Sequence, residues 1–193
     1  MEKISLGCVI MAAGNARRFG ANKLAAKVDG KSLIRHTMEA IPADQFDAVT
    51  VVTQYPEIES LAAEFGFQCI KNEHPDWGIS HTISLGTHEL QNDCDAICYM
   101  VSDQPLLKRE SIAGALGFFR EHSDHIVGLA HDGKRGNPCI FPRKFYDELI
   151  ALREGNGGNT VIRAHEDALR LYEVDKQELT DVDTPQALRD LMK

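Results

Sequence analysis

Short apolar runs rich in β-branched residues alternate along the chain with longer segments whose apolar residues recur every three or four positions. The short runs predict buried β-strands, and the longer segments predict amphipathic helices. The predicted strands begin near Val9 and continue at residues 49–53, 69–70, 96–101, 126–130, 139–141 and 169–174. Strands and helices in alternation are typical of a mostly parallel, twisted sheet covered by helices, so we expect an α/β fold with three α/β/α layers.

Capping and terminating residues set the bounds of the predicted helices. Ser32 is a suitable N-cap for a helix that Pro42 ends, and Pro56 is a suitable first residue for a helix that Gly66 ends. Further helices are predicted at residues 79–90, 111–122, 144–153 and 160–165, with a terminal one after residue 185. The pattern contains no internal repeat or interdomain linker, which predicts a single domain over residues 1–193.

Three polar segments interrupt this pattern. Residues 72–80 place a proline, a tryptophan and a glycine close together, and we expect this loop to line a site. Residues 131–138 predict either a flap or a hairpin. The glycine-rich sequence of residues 155–159 predicts a mobile loop.

Composition excludes several classes of protein. The chain has 193 residues and a net charge of −8 without a basic stripe, which argues against a nucleic-acid surface. Its five cysteines include no C-x-x-C pair, so neither a disulfide framework nor a zinc site is indicated. No apolar run reaches the roughly 20 residues of a membrane span, and the N-terminus has no signal-peptide pattern. These features predict a soluble cytoplasmic protein.

The first strand leads into a small, glycine-punctuated and basic stretch at residues 12–23, AAGNARRFGANK. Backbone N–H groups around Gly14 and Asn15, together with Arg18 and Lys23, are suited to neutralising phosphates. The spacing of the glycines matches neither of the two best-known phosphate-binding glycine motifs, so the residues alone leave phosphate binding open.

Two aspartates are expected at the same edge of the sheet as this stretch. Asp103 directly follows a predicted strand in the sequence SDQP, and Asp183 lies in the late sequence DVDTP. Ligands of open α/β sheets bind beyond the carboxyl ends of the strands, and Mg²⁺ needs only one or two carboxylates besides phosphate oxygens. The alternatives are structural: Asp103 as a turn residue and Asp183 as the N-cap of the last helix.

These segments together resemble a known family. Residues 12–23 are similar to the nucleotidylyltransferase signature A-[AG]-G-x-[SA]-x-R-[MF]-G-x-x-K, and SDQP at residues 102–105 resembles the family's metal-binding D-x-P. GNP at residues 136–138 resembles its G-x-P turn, and DVDTP at residues 181–185 its late D-[IV]-D-T-P. The resemblance is greatest to enzymes that attach a nucleotide to molybdopterin, and it implies a Rossmann-like nucleotidyltransferase fold.

The resemblance implies Mg²⁺-dependent transfer of CMP from CTP to molybdopterin or molybdenum cofactor, with a molybdenum hydroxylase apoenzyme as the recipient of the product. The choice of CTP depends on Ala13, because the cytidylyltransferases tend to carry A-A-G where guanylyltransferases carry A-G-G. The alternatives are guanylyl transfer from GTP, a sugar-phosphate or polyol-phosphate nucleotidylyltransferase, and a nucleotide-binding module that carries the cofactor without turnover.

The resemblance also implies roles for individual residues. The catalytic residues are expected to be Arg18, Lys23 and Asp103, and the metal ligands Asp103 and Asp183. The other expected nucleotide contacts are Ala12, Ala13, Gly14, Asn15, Gly20, Gly78, Ser80 and Ser84. The expected acceptor contacts are Trp77, Gln104, Asn137 and Pro138.

Overall fold

The computed structural model describes residues 3–14 and 22–191. Its strands are β1 (Leu6–Ala12), β2 (Lys27–Val28), β3 (Lys31–Ser32), β4 (Ala48–Thr53), β5 (Gln68–Lys71), β6 (Ala96–Val101), β7 (Ile126–His131), β8 (Lys134–Pro142) and β9 (Leu169–Glu173). Its α-helices are α1 (Leu33–Ala40), α2 (Pro56–Glu64), α3 (Ile79–Leu90), α4 (Arg109–Glu121), α5 (Tyr146–Ile150), α6 (Gly158–Ala164) and α7 (Pro185–Leu191).

Seven strands form one sheet in the order β5-β4-β1-β6-β8-β7-β9. All neighbours are parallel except that β8 runs antiparallel to both β6 and β7. Strand β1 lies between β4 and β6, with Ala12 opposite Thr53 and Met11 opposite Val101. The carboxyl ends of these three strands therefore meet at one edge of the sheet.

Helices cover both faces of the sheet, as the alternation of strand side chains requires. On one face, alternate residues of β1 and β6 pack against α1, α2 and α4 in a core that includes Ile10, Met38 and Phe119. On the other face, the intervening residues pack against α3, α5 and α6 in a core that includes Val9 and Ile83. The predicted three-layer α/β/α fold with a mostly parallel sheet is confirmed.

Several local predictions need correction. Residues 131–138 form a hairpin between β7 and β8 and not a flap. Strand β8 begins at Lys134, so the strand predicted at 139–141 is only the last part of β8. The predicted loop at 155–159 extends too far, because Gly158 and Asn159 belong to the first turn of α6. The predicted helix at 144–153 begins with a 3-10 turn at Arg143–Phe145, and its α-helical part ends at Ile150. The short hairpin of β2 and β3 was missed because its strands have two residues each.

The alternative role of Asp183 as a helix cap is wrong. The hydroxyl of Thr184 accepts the hydrogen bond from the backbone N–H of Ala187 at 3.1 Å, so Thr184 caps α7. All five cysteines are free thiols. Among the described residues, no helix is long and apolar enough to cross a membrane.

Candidate functional site

The backbone that leaves β1 is held by side chains at the ends of the two neighbouring strands. Four consecutive carbonyl oxygens, those of residues 11–14, each accept a hydrogen bond from such a side chain. The donors are Ser102 to Met11 (2.8 Å), Thr53 to Ala12 (2.8 Å), Gln54 to Ala13 (2.8 Å) and Tyr55 to Gly14 (2.9 Å). Since these bonds come from the ends of both β4 and β6, which lie on either side of β1, the start of the predicted phosphate loop has a fixed path out of the sheet.

Lys23 lies between the two aspartates that the sequence singled out. Its ammonium donates to Asp103 Oδ2 at 2.9 Å and to Asp183 Oδ1 at 3.1 Å. The lysine begins a 3-10 turn, Lys23–Ala25, that the Asn22 side chain caps by accepting from the N–H of Leu24. Burial lowers the pKa of Lys23, but the hydrogen bonds and charges of the two aspartates outweigh it, so the net shift is upward and the ammonium stays charged.

A third aspartate joins this cluster. Asp181 accepts a hydrogen bond from the side-chain amide of Gln104 at 2.9 Å. The backbone N–H of Val182 donates to the carbonyl of Asp103 at 2.8 Å, which ties the late DVDTP segment to the end of β6. Loss of hydration, followed by the negative charges of Asp103 and Asp183, raises the pKa of Asp181. The three carboxylates are thus close enough to repel one another.

A cavity of about 550 Å³ opens beside this cluster, and we call it the first cavity. The residues that line it include Lys23, Ser102 and Asp103, residues 13–14, the loop before α3, and residues 154–155. Gly78 lies in the loop before α3 with φ +80°, a conformation that residues with a side chain rarely adopt. The volume is within the range of small-molecule sites.

The donor set of this cluster fits a hard divalent cation. Two carboxylate oxygens already lie within 3.1 Å of one positively charged nitrogen, so a single cation can contact both. Within residues 3–14 and 22–191, no group of three or more His, Cys, Asp or Glu side chains is arranged to hold a metal. For such a cation, Asp103 and Asp183 would supply carboxylate oxygens, and phosphate and water oxygens would complete the coordination, as Mg²⁺ commonly requires.

A second cavity of about 230 Å³ adjoins the first, because Met11, Ile79 and Val101 line both. Asn137 lies in its wall, next to Arg135. Sequence reasoning did not single out Arg135, although it stands one position before the GNP motif at residues 136–138.

Trp77, Ser80 and Ser84 line a neighbouring groove of about 340 Å³. The Ser80 hydroxyl donates to the Trp77 carbonyl at 3.2 Å, and the Trp77 ring stacks on His74 with centroids 4.1 Å apart. Ser80 and Ser84 are thus placed together with the predicted acceptor contact Trp77, whereas Gly78, like Lys23, lines the first cavity.

The remaining predicted site residues are placed as follows. Ala12, Ala13 and Pro138 are buried, and Ala13 and Gly14 line the first cavity. Gln104 is buried behind Asp103. Asn15, Arg18 and Gly20 lie outside the described residues, so their predicted roles stay predictions.

Comparison with known proteins gives a family match over most of the chain. A model of the MobA-like NTP transferase domain matches residues 8–169. The chain is 29% identical over 140 residues to a molybdenum cofactor guanylyltransferase of Shewanella sp. (strain ANA-3), covering 71% of this chain and 68% of that protein. It is 25% identical over 198 residues to the purine catabolism protein PucB of Bacillus subtilis (strain 168), covering 92% and 91%.

Solved structures share the fold. Rv0371c from Mycobacterium tuberculosis H37Rv superposes with a TM-score of 0.81 at 20% identity, over 100% of this chain and 99% of that one. A structure of the same protein in complex with manganese gives a TM-score of 0.75 at 20% identity, over 97% of this chain and 98% of that one.

Proposed function

The chain belongs to the MobA-like NTP transferase domain family, and from this premise we propose that it transfers CMP from CTP, with Mg²⁺, to a molybdopterin-type acceptor and releases pyrophosphate. The product would then be delivered to a molybdenum hydroxylase apoenzyme. The nucleotidyltransferase class follows from the family. The nucleotide, the acceptor, the metal and the recipient are parts of the proposal.

One observation carries the proposal: Lys23, Asp103 and Asp183 converge beside the first cavity. They come from segments separated by 80 and 160 positions in the chain. An ammonium and a carboxylate pair at the carboxyl ends of parallel strands are the groups that a metal-bound triphosphate requires.

In the proposed reaction, an oxygen of the acceptor's terminal phosphate attacks the α-phosphorus of CTP. The new phosphorus–oxygen bond forms in line with the bond to the β-phosphate, which breaks, and pyrophosphate leaves with the bonding electrons. The attacking phosphate is already anionic at neutral pH, so the step needs no general base. Catalysis then consists of positioning and of stabilising the developing negative charge.

Lys23 is suited to charge stabilisation. An ammonium has three N–H donors, of which two are directed to Asp103 and Asp183. Since no further partner of this ammonium is found among residues 3–14 and 22–191, the third donor is assigned to a phosphate oxygen. Mg²⁺ held by these two aspartates would neutralise charge on the triphosphate. The ion pairs with the two carboxylates also hold the ammonium of Lys23 in position. The side chain is only 14% exposed, so surrounding residues restrict it as well. Arg18 is assigned to the triphosphate as well, because its planar guanidinium can bind two oxygens at once.

The choice of CTP depends on Ala13, which is one of the residues that line the first cavity. A methyl group there limits how closely a base can approach the backbone, which favours the smaller cytosine ring. GTP is the second candidate, because named relatives of the chain are molybdenum cofactor guanylyltransferases.

A single assay tests reaction, nucleotide and acceptor. The protein is incubated with Mg²⁺, with CTP, GTP or ATP, and with molybdopterin, molybdenum cofactor or a panel of sugar phosphates, and pyrophosphate is measured. We expect release that requires both CTP and a molybdopterin-type acceptor. Equal or greater release with GTP would overturn the choice of nucleotide. Binding of CTP without release for any acceptor would favour a carrier protein instead.

A further inference from the structure

The second cavity has an apolar floor and a polar rim. Its floor includes the aromatic rings of Tyr99 and Phe141, which are 4% and 2% exposed and meet edge to face with centroids 5.7 Å apart. The rim includes Arg135, Asn137 and Asn159. Apolar aromatic side chains together with hydrogen-bonding side chains in one cavity are suited to an aromatic ring that carries polar atoms on one edge.

Arg135 is held firmly at this rim. The methylene groups of its side chain pass over Gly128, where an added Cβ would lie 2.9 Å from Arg135 Cγ and Cδ. Its guanidinium donates to the Gly136 carbonyl and the Cys139 sulfur, both at 3.3 Å, and to the side-chain oxygen of Asn159. Such a guanidinium is already oriented before a ligand arrives, which reduces the entropy lost on binding.

Among the described residues, the partners of the guanidinium do not use all of its donors. Arginine carries five N–H donors, and the three bonds to Gly136, Cys139 and Asn159 use three of them. Within the part of the chain that the structure describes, Arg135 forms no ion pair with a carboxylate. A partly buried cation with free donors beside a cavity is a binding group for a ligand that offers hydrogen-bond acceptors.

The position of the cavity indicates which substrate it would receive. It adjoins the first cavity through Met11, Ile79 and Val101, and Val101 stands two residues before Asp103. A molecule whose ring lies in the second cavity can therefore extend a phosphate toward the Lys23 cluster. The volume of about 230 Å³ is suited to one ring system rather than to a whole nucleotide.

We propose that Arg135 is a specificity-determining residue for the acceptor, and that its free N–H groups bind the carbonyl and ring-nitrogen edge of a bicyclic heteroaromatic ring in the second cavity. The inference rests on the proposed function, because a pterin is the ring of the proposed acceptor. Arg135 takes no part in the bond changes, so its effect is expected on acceptor binding and not on CTP binding.

Fluorescence titration with free pterin tests the inference without any transfer step. Arg135→Gln should weaken pterin binding about tenfold or more, since hydrogen bonds to a charged donor contribute about 1.5–3 kcal/mol. Arg135→Lys should recover little of this loss, because an ammonium lacks the planar pair of donors. The matched control is Arg163→Gln, an exposed arginine on α6, which should leave binding unchanged. Thermal unfolding of each variant checks the fold.

Three results would overturn the inference. These are unchanged pterin binding in Arg135→Gln, full recovery in Arg135→Lys, and displacement of pterin by inorganic phosphate, which would identify an anion site. Absence of pterin binding to the wild-type protein, with and without CTP, would overturn it as well.

Steady-state transfer assays separate this inference from the proposed function. If the wild-type protein transfers CMP, Arg135→Gln should raise KM for the acceptor about tenfold and leave KM for CTP unchanged. Transfer with an unchanged acceptor KM would overturn the inference alone. The protein could instead bind pterin through Arg135 and transfer no nucleotide. That result would overturn the proposed function but would still support the pterin site.

Discussion

The two adjoining cavities differ in how their charged groups are satisfied. Beside the first cavity, the ammonium of Lys23 is bonded to two carboxylates, with a third carboxylate close by. In the wall of the second, Arg135 has only neutral partners among the described residues. The first cluster therefore has more carboxylates than cationic groups, and the divalent cation of the proposed function would offset this excess of negative charge. The second presents a cation that a neutral or anionic ligand can bind directly.

The largest expected effect comes from removing the charge of the first cluster. Asp103→Ala and Lys23→Ala should each reduce pyrophosphate release by at least about a hundredfold. Lys23→Ala removes a cation that stabilises the developing negative charge, and Asp103→Ala removes a proposed ligand of the divalent cation that does the same. Release is measured under saturating CTP and acceptor, and circular dichroism confirms folding.

The control for this experiment is Asp93→Ala. Asp93 is exposed in the turn after α3 and should be dispensable. Activity of the Lys23→Ala or Asp103→Ala protein equal to that of the control would eliminate the proposed mechanism.

The first cluster could be predicted from the sequence because its residues stand in recognisable positions. Asp103 follows a buried strand, Lys23 closes a glycine-punctuated stretch after another, and parallel strands bring their carboxyl ends to one edge. What could not be predicted is that Lys23 occupies the space between the aspartates. Side-chain pairing across 160 positions leaves no local signal.

For the second cavity only part of such a signal was present in the sequence, through Asn137 of the GNP motif. Arg135 belongs to a hairpin whose sequence was equally compatible with a flap, and Asn159 to a glycine-rich segment whose composition predicted a mobile loop. Gly158 instead begins α6, and an added Cβ there would lie 3.3 Å from Phe141. This close tertiary packing favours the helix over the loop, and tertiary contacts are not visible in local composition.

A smaller effect, on stability, is expected where one helix supports both cavities. Ile79, the first residue of α3, lines both, and α3 packs closely on β1 at Gly86. An added Cβ at Gly86 would lie 2.5 Å from Val9 Cγ1. Gly86→Ala should therefore lower the free energy of unfolding by about 1–3 kcal/mol, the usual cost of overpacking.

Gly117→Ala in α4 is the matched control, since no atom lies within 4 Å of its added Cβ. Alanine there should raise stability by up to about 1 kcal/mol through its higher helix propensity. Urea unfolding measures both changes. Equal shifts in the two variants would refute the close packing of α3 on β1.

A change in nucleotide preference should be smaller still. If the methyl group of Ala13 restricts the base, Ala13→Gly should raise kcat/KM for GTP relative to CTP by up to about tenfold, the discrimination that one methyl group commonly supports. The ratio of the two kcat/KM values is the measurement. A ratio that stays at the wild-type value would mean that other residues choose the base.

The smallest expected effect is a pH-dependent gain in stability from Asp181→Asn, measured with EDTA so that no metal is bound. The pKa of Asp181 is raised in the folded protein, first by loss of hydration and then by the charges of Asp103 and Asp183. A carboxyl with a raised folded pKa favours folding while it is protonated, and this contribution is lost as the pH rises through that pKa.

Asp181→Asn should therefore increase the free energy of unfolding at neutral pH. The increase should vanish below the unfolded pKa of about 3.9. Its size should stay below about 1 kcal/mol because the side chain is partly exposed and screened by solvent. The control for the substitution itself is Asp167→Asn at an exposed position, which should leave the free energy of unfolding at neutral pH nearly unchanged. A variant less stable than wild type at neutral pH would mean that the hydrogen bond from Gln104 to the ionised carboxylate outweighs the repulsion among the three aspartates.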